Sequence, residues 1–162
     1  MPAETIFTIG HSTHPIEVFI GMLTAHGVKR LVDVRTVPKS RHNPQFGQDE
    51  MPASLAAAGI SYRWAKELGG LRHARADSVN LGWRNASFRG YADYMHTDQF
   101  QQAIRKLMTT AAQARTVIMC AEAVPWRCHR SLIADALVVD DWDVIHILGP
   151  GQLKPHQLTA FA

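Results

Sequence analysis

Residues 117–137 read VIMCAEAVPWRCHRSLIADAL. A short apolar, β-branched run ends at Cys120, a segment holding Pro125 follows, and an apolar-periodic helix is predicted over 129–138. Strand, loop and helix in direct succession are the unit of an α/β sheet. Both cysteines of the 162-residue chain lie in this stretch, with Glu122, Arg127, His129 and Arg130 beside them. The free N–H groups and positive dipole end of a helix stabilise negative charge, a thiolate included, so this turn is the first candidate for chemistry.

Outward from that unit the same alternation repeats. Strands are predicted at 6–9, 30–34, 60–64, 116–119 and 144–148, and helices at about 15–26, 51–58, 88–96 and 98–114 besides the one at 129–138. The 15–26 helix has Pro15 at its first position, Glu17 in its first turn and Ile16, Phe19, Ile20 and Leu23 on one face. The 98–114 helix carries Phe100, Ala103, Ile104, Leu107 and Met108 on one face. The tail from 149 onward reads as coil or a short helix. The expectation is a single α/β domain over residues 1–162, with about five mostly parallel strands and helices on both faces.

Composition narrows the class. The chain is 46% hydrophobic and 19% charged, an ordinary globular balance. No window is apolar enough to span a bilayer, and the N-terminus lacks a basic stretch followed by an apolar one. Two cysteines make no disulfide framework, so a cytoplasmic setting without membrane association is expected. The net charge of +3 is too small to mark a dedicated nucleic-acid binder. Arginine supplies twelve of the 17 cations, and guanidinium forks suit phosphate, sulfate or carboxylate.

In a parallel sheet every loop that follows a strand emerges at the carboxyl edge. The loops 11–14, 35–42, 66–75 and 120–130 therefore share one rim, with Ser12, Arg35, Ser40, Arg41, Gly69 and Gly70 among their residues. A rim of guanidiniums, hydroxyls and helix N-termini is an anion site; solvated loop charges are the plain alternative. Gly69 and Gly70 serve either a close approach to ligand or a turn. Tyr91, after Arg89 and Gly90, is placed to reach the rim. Asp33, inside an apolar strand, needs a partner: Arg35 lies on the same face by the period of two, and backbone N–H groups are the alternative.

The cysteine turn admits three readings. In the first, Cys120 is a nucleophile, Cys128 resolves a bond formed on it or attacks in its place, and His11, Glu122 and His129 handle protons. In the second, Cys120, Glu122, Cys128, His129 and His11 hold zinc or iron, although their spacing matches no short metal knuckle. In the third, the cysteines are small buried hydrophobes and the neighbouring residues cap a helix.

Several motifs occur in a specific order: TIGHS at 8–12, VDVRTVPKSR at 32–41, LGG at 68–70, YADYM at 91–95, MCAE at 119–122, CHR at 128–130 and VIH at 144–146. This series resembles the family catalogued as domain of unknown function 488, over nearly the whole chain. The resemblance implies a compact α/β domain and no particular reaction. LVDVR at 31–35 is also similar to the opening strand of rhodanese-like domains. The run from Cys120 to Arg130-Ser131 resembles the turn of rhodanese-like and cysteine-phosphatase domains, in which a cysteine ends a strand and an Arg-Ser pair starts a helix. Here nine residues separate Cys120 from Arg130, and six separate it from Arg127, a longer turn than in those families. That resemblance implies a thiolate above a helix N-terminus, without their tight ring of amides.

Together these readings lead to an expected cysteine-dependent enzyme for sulfur or phosphoryl transfer on a small anionic or nucleotide-like substrate. Cys120, Cys128, His129, His11 and Glu122 form its catalytic set. Ser12, Asp33, Arg35, Ser40, Arg41, Gly69, Gly70, Tyr91 and Arg130 form its binding set. No cofactor is required, with zinc or iron as the alternative. The competing functions are a nucleotide- or nucleic-acid-binding module on the same basic rim and a metal protein.

Overall fold

The computed structural model describes residues 4–40, 42–69, 86–122 and 128–158. Their six strands are β1 (Thr5–Gly10), β2 (Arg30–Asp33), β3 (Ser61–Trp64), β4 (Thr116–Cys120), β5 (Asp143–Gly149) and β6 (Gln152–Pro155). They form one sheet in the order β3-β2-β4-β1-β5-β6, parallel except for the β5–β6 pair. The helices are α1 (Ile16–Thr24), α2 (Met51–Ala57), α3 (Ala86–Tyr94), α4 (Asp98–Gln113) and α5 (Arg130–Val139).

The central strands are buried on both faces, which explains their near-continuous apolar runs. On one face Phe19, Met22 and Leu23 of α1 and Met51 and Leu55 of α2 pack on Phe7, Ile9, Leu31, Val117 and Met119. On the other, Tyr91 of α3, Phe100, Ile104 and Leu107 of α4, and Leu132, Ile133 and Leu137 of α5 pack on Ile6, Val32, Val34 and Ile118. Alternation along each strand thus divides the core into two clusters.

α4 shows how local signals set an element. Thr97 Oγ1 accepts from the Phe100 N–H at 3.2 Å, and the apolar stripe from Phe100 to Ala111 faces inward. Thr97→Ala is expected to lower the unfolding free energy by about 1 kcal/mol, read from urea denaturation. An unchanged midpoint would show that the cap is redundant.

The tail differs from expectation. Residues 152–155 form a sixth strand, antiparallel to β5, instead of coil or helix. Its four residues are all exposed, so no apolar alternation announces it. Pro155 is tolerated because β6 is an edge strand.

Strand order also locates the crevice. After β1 the chain crosses toward β3 on the α1 face; after β4 it crosses toward β6 on the α5 face. The crossovers that follow β1 and β4 leave for opposite faces at that point, which is where α/β sheets bind ligands. The last residue of β1, Gly10, is paired with Cys120, the last of β4.

Candidate functional site

Beyond the strand ends the β1–β4 ladder continues for two residues: His11 N–H donates to Cys120 O and Ser12 N–H to Ala121 O, each at 2.9 Å. Ser12 then takes a positive φ of 48°, rare for a residue other than glycine and a form of strain that gathers at functional sites. This turn brings the Ser12 carbonyl back to His11 Nδ1 at 2.8 Å. A carbonyl only accepts, so the ring proton sits on Nδ1 and Nε2 keeps its lone pair. His11 stacks on Phe46, with ring centroids 4.4 Å apart, on the α1/α2 face. Burial, outweighing the Ser12 bond and aided by the Arg35 charge, lowers its pKa to about 4.

His11 Nε2 lies 3.5 Å from Arg35 Nη1. Arg35 in turn grips Asp33 with two nitrogens, Nε at 2.9 Å and Nη2 at 2.7 Å, and also donates its backbone N–H to Asp33 Oδ1 at 3.0 Å. Both roles expected for Asp33, arginine partner and acceptor of backbone N–H, are therefore present together. Tyr62 adds its O–H to Asp33 Oδ2 at 2.6 Å, and burial together with that bond raises the Tyr62 pKa. Trp64 Nε1–H donates to the Arg35 carbonyl at 2.9 Å. Asp33 is completely buried and its charge is compensated from all sides, as a buried carboxylate requires.

Cys120 belongs to the opposite face. Its sulfur lies in the α3/α4/α5 cluster with Cys128. Arg130, the first residue of α5 and fully buried, donates from Nη1 to Cys120 Sγ at 3.4 Å and to the Glu122 carbonyl at 3.1 Å. Its backbone N–H points at Cys128 Sγ, also at 3.4 Å. As a thiol, Cys120 donates to the Glu122 carbonyl at 3.6 Å; ionised, it becomes the acceptor for Arg130.

The two thiols interact and split in acidity. Burial pushes Cys120 up, but the Cys128 bond, the Arg130 cation and a backbone hydrogen bond at Glu122 outweigh it and leave Cys120 below the ordinary thiol range. Cys128 moves well above that range because of its bond to Cys120, its burial and the Cys120 charge. His129 borders the pair: Nδ1 is 3.4 Å from Cys128 Sγ, and Nε2–H donates to the Val34 carbonyl at 2.8 Å. Tyr91 lies under His129, with centroids 5.0 Å apart, and donates its O–H to Leu68 O at 3.0 Å.

The expected site residues therefore fall into two clusters on opposite faces of one sheet edge. Cys120, Cys128, His129, Arg130 and Tyr91 form one; His11, Ser12, Asp33 and Arg35 form the other. The Glu122 residue is exposed, and its backbone serves the first cluster. Ser40 Oγ accepts from Asn43 N–H at 3.1 Å and shapes its own loop. Gly69 packs closely on Thr36; a Cβ there would come within 3.1 Å of the Thr36 backbone. Arg41 and Gly70 lie outside the described residues, as do Arg127 and Trp126. Among the described residues no three His, Cys, Asp or Glu side chains are grouped to hold a metal ion. Of the five proposed ligands, His11 is on the other face and His129 has committed Nε2 to Val34, while Cys120 and Cys128 stay together. Tyr62, Trp64 and Phe46 were not in the expected set. Alternation along 60–64 puts Tyr62 and Trp64 on one side of their strand, but the partner strand is not written in the sequence.

Among the described residues no helix is long and apolar enough to cross a membrane. A family model described as Domain of unknown function DUF488 matches residues 15–137. No curated protein and no solved structure matches the chain.

Proposed function

The chain belongs to the family described as Domain of unknown function DUF488, and from that premise we propose that it is a cysteine-dependent enzyme that takes up sulfur from a small anionic donor on Cys120. The observation that carries this reading is the buried Arg130 guanidinium 3.4 Å from the Cys120 sulfur. A buried cation beside a thiol favours the thiolate, the reactive form. The guanidinium charge suits an anionic leaving group at the same place.

Two features favour sulfur transfer within the wider class of thiolate chemistry. A second thiol in the same cluster, gathered with the first around Arg130, has no part in phosphoryl transfer, but it is suited to take over or resolve a sulfur carried by its neighbour. Cys120 also exposes only 2% of its surface, which admits a compact donor far more readily than a nucleic acid or a protein. With thiosulfate as donor, the thiolate attacks the outer sulfur, a Cys120 S–S bond forms, the donor S–S bond breaks and sulfite leaves with the electron pair. The product is a Cys120 persulfide.

Incubation with thiosulfate or a low-molecular-weight persulfide is expected to add the mass of one sulfur atom to the Cys120 peptide. The adduct is absent in Cys120→Ser and accumulates in Cys128→Ala. Failure of both donors to load Cys128→Ala, or loading of Cys120→Ser on Cys128, overturns the assignment.

A further inference from the structure

Behind the cysteine pair, in the same layer, four polar side chains form a continuous buried line. Asp135 Oδ1 meets His156 Nε2 at 2.7 Å, His156 Nδ1 meets His146 Nε2 at 2.8 Å, and His146 Nδ1 meets Thr8 Oγ1 at 2.6 Å. Asp135 and His146 are each 2% exposed, and Thr8 is fully buried. The reading of Cys120 as nucleophile uses none of these residues. Thr8, His146 and His156 also lie outside the stretch 15–137 that the family model matches.

We propose that Asp135, His156, His146 and Thr8 form a relay that positions α5, and through it the Arg130 guanidinium, against the Cys120 sulfur; this inference rests on the reading of Cys120 as a thiolate nucleophile. Asp135 lies five residues from Arg130 on α5, or about 7.5 Å along the axis. The relay ties that point of the helix to β5 through His146 and to β1 through Thr8. Thr8 is paired with Ile118, two residues before Cys120 on β4. Helix and sulfur are therefore fastened to neighbouring strands. His156, just past β6, supplies the middle link and is itself held by its N–H bond to the Val144 carbonyl at 2.8 Å.

The line also has a direction. A carboxylate accepts only, so His156 Nε2 carries the proton and Nδ1 accepts; His146 Nε2–H then donates, and its Nδ1 accepts from the Thr8 hydroxyl. Every donor in the line points away from Thr8 and toward Asp135. Burial, then the neighbouring His156 and the Arg130 charge, lower the His146 pKa to about 3, which keeps that ring neutral.

The readout is the Cys120 thiolate, followed by its ultraviolet absorbance against pH with Cys120→Ser as the blank. In Asp135→Asn and His156→Ala the thiolate fraction at neutral pH is expected to fall about tenfold or more, equivalent to a shift of at least about one pH unit in the midpoint. Leu153→Ala, on the exposed face of β6, loosens that strand without touching the relay and is expected to leave the titration in place. A relay that only stabilises the fold would lower the melting temperature of the first two variants and leave their thiolate curves on that of wild type, which overturns the proposal. Imidazole nitrogen shifts of the unmutated protein give a test that needs no variant: both His146 and His156 should carry their proton on Nε2, and a proton on Nδ1 of either ring overturns the relay. A wild-type thiolate midpoint in the ordinary thiol range would instead remove the nucleophile itself, and the positioning role with it.

Discussion

Arg130→Met is expected to silence Cys120 while leaving the protein folded. The guanidinium is fully buried and donates to the sulfur, and its stem packs where a methionine of similar length fits. With the cation gone, burial still raises the thiol, and only the Cys128 bond and the Glu122 backbone oppose it. The Cys120 midpoint should rise by about one to two pH units, and sulfur loading at neutral pH should fall by roughly ten- to a hundredfold. Stability should change little or increase, because a buried cation carries a desolvation cost that a thioether does not. Thiolate absorbance, persulfide mass and urea denaturation measured on the same variant separate these effects. Full loading at neutral pH in Arg130→Met would mean that the thiolate does not depend on its nearest cation, and the account of the site would fail.

The rim was legible from the sequence because alternating strands and helices dictate a parallel sheet, and a parallel sheet sends its loops to one edge. Side-chain parity at the edge is not written in that alternation. Cys120 and His11 follow neighbouring strands and bond through their backbones, yet their side chains go to opposite faces, since Ile9 and His11 share one parity while Cys120 shares that of Ile118. A set of residues expected around one sulfur thus resolves into a thiol–arginine cluster and an Asp33–Arg35–His11 cluster. Register decides this, and parallel register depends on packing between segments remote in the chain. The Asp33–Arg35 contact was readable because Arg35 follows the last residue of β2, Asp33, by two positions, so extended chain keeps both on one face. The partnership of Asp33 with Tyr62 was not, because β3 reaches β2 only through the fold.

β6 escaped notice for a related reason. Periodicity reveals strands that bury one face, whereas Gln152–Pro155 buries none and is recruited by the free edge of β5. His146 is buried in β5 and bonded to Thr8 and His156. Its partner His156 follows β6, so missing the strand concealed the relay as well. The two arrangements that most influence the site, side-chain parity at the rim and the histidine pair behind it, both arise from contacts between distant segments.

The same buried histidines predict a protein that weakens steeply in mild acid. In the folded chain His11 titrates at about 4 and His146 at about 3, both depressed chiefly by burial; unfolded, each returns to about 6.5. Between those limits the unfolded chain binds more protons than the folded one, so stability is complete above about pH 6.5 and is lost as the pH falls toward the folded values. Two such groups contribute a slope of up to about 2.7 kcal/mol per pH unit. Against a total stability of about 5–15 kcal/mol, that approaches unfolding near about pH 4. Urea denaturation at a series of pH values should show the unfolding free energy falling continuously below about pH 6.5. His11→Asn, whose amide can still donate to the Ser12 carbonyl, and His146→Gln should each be weaker than wild type at neutral pH yet flatter in acid, so that their curves converge on that of the parent as the pH drops. Curves that stay parallel would mean that these rings take up their protons without unfolding the chain. Burial would then not be holding them neutral, and the proton arrangement assigned to His11 and His146 would have to be abandoned.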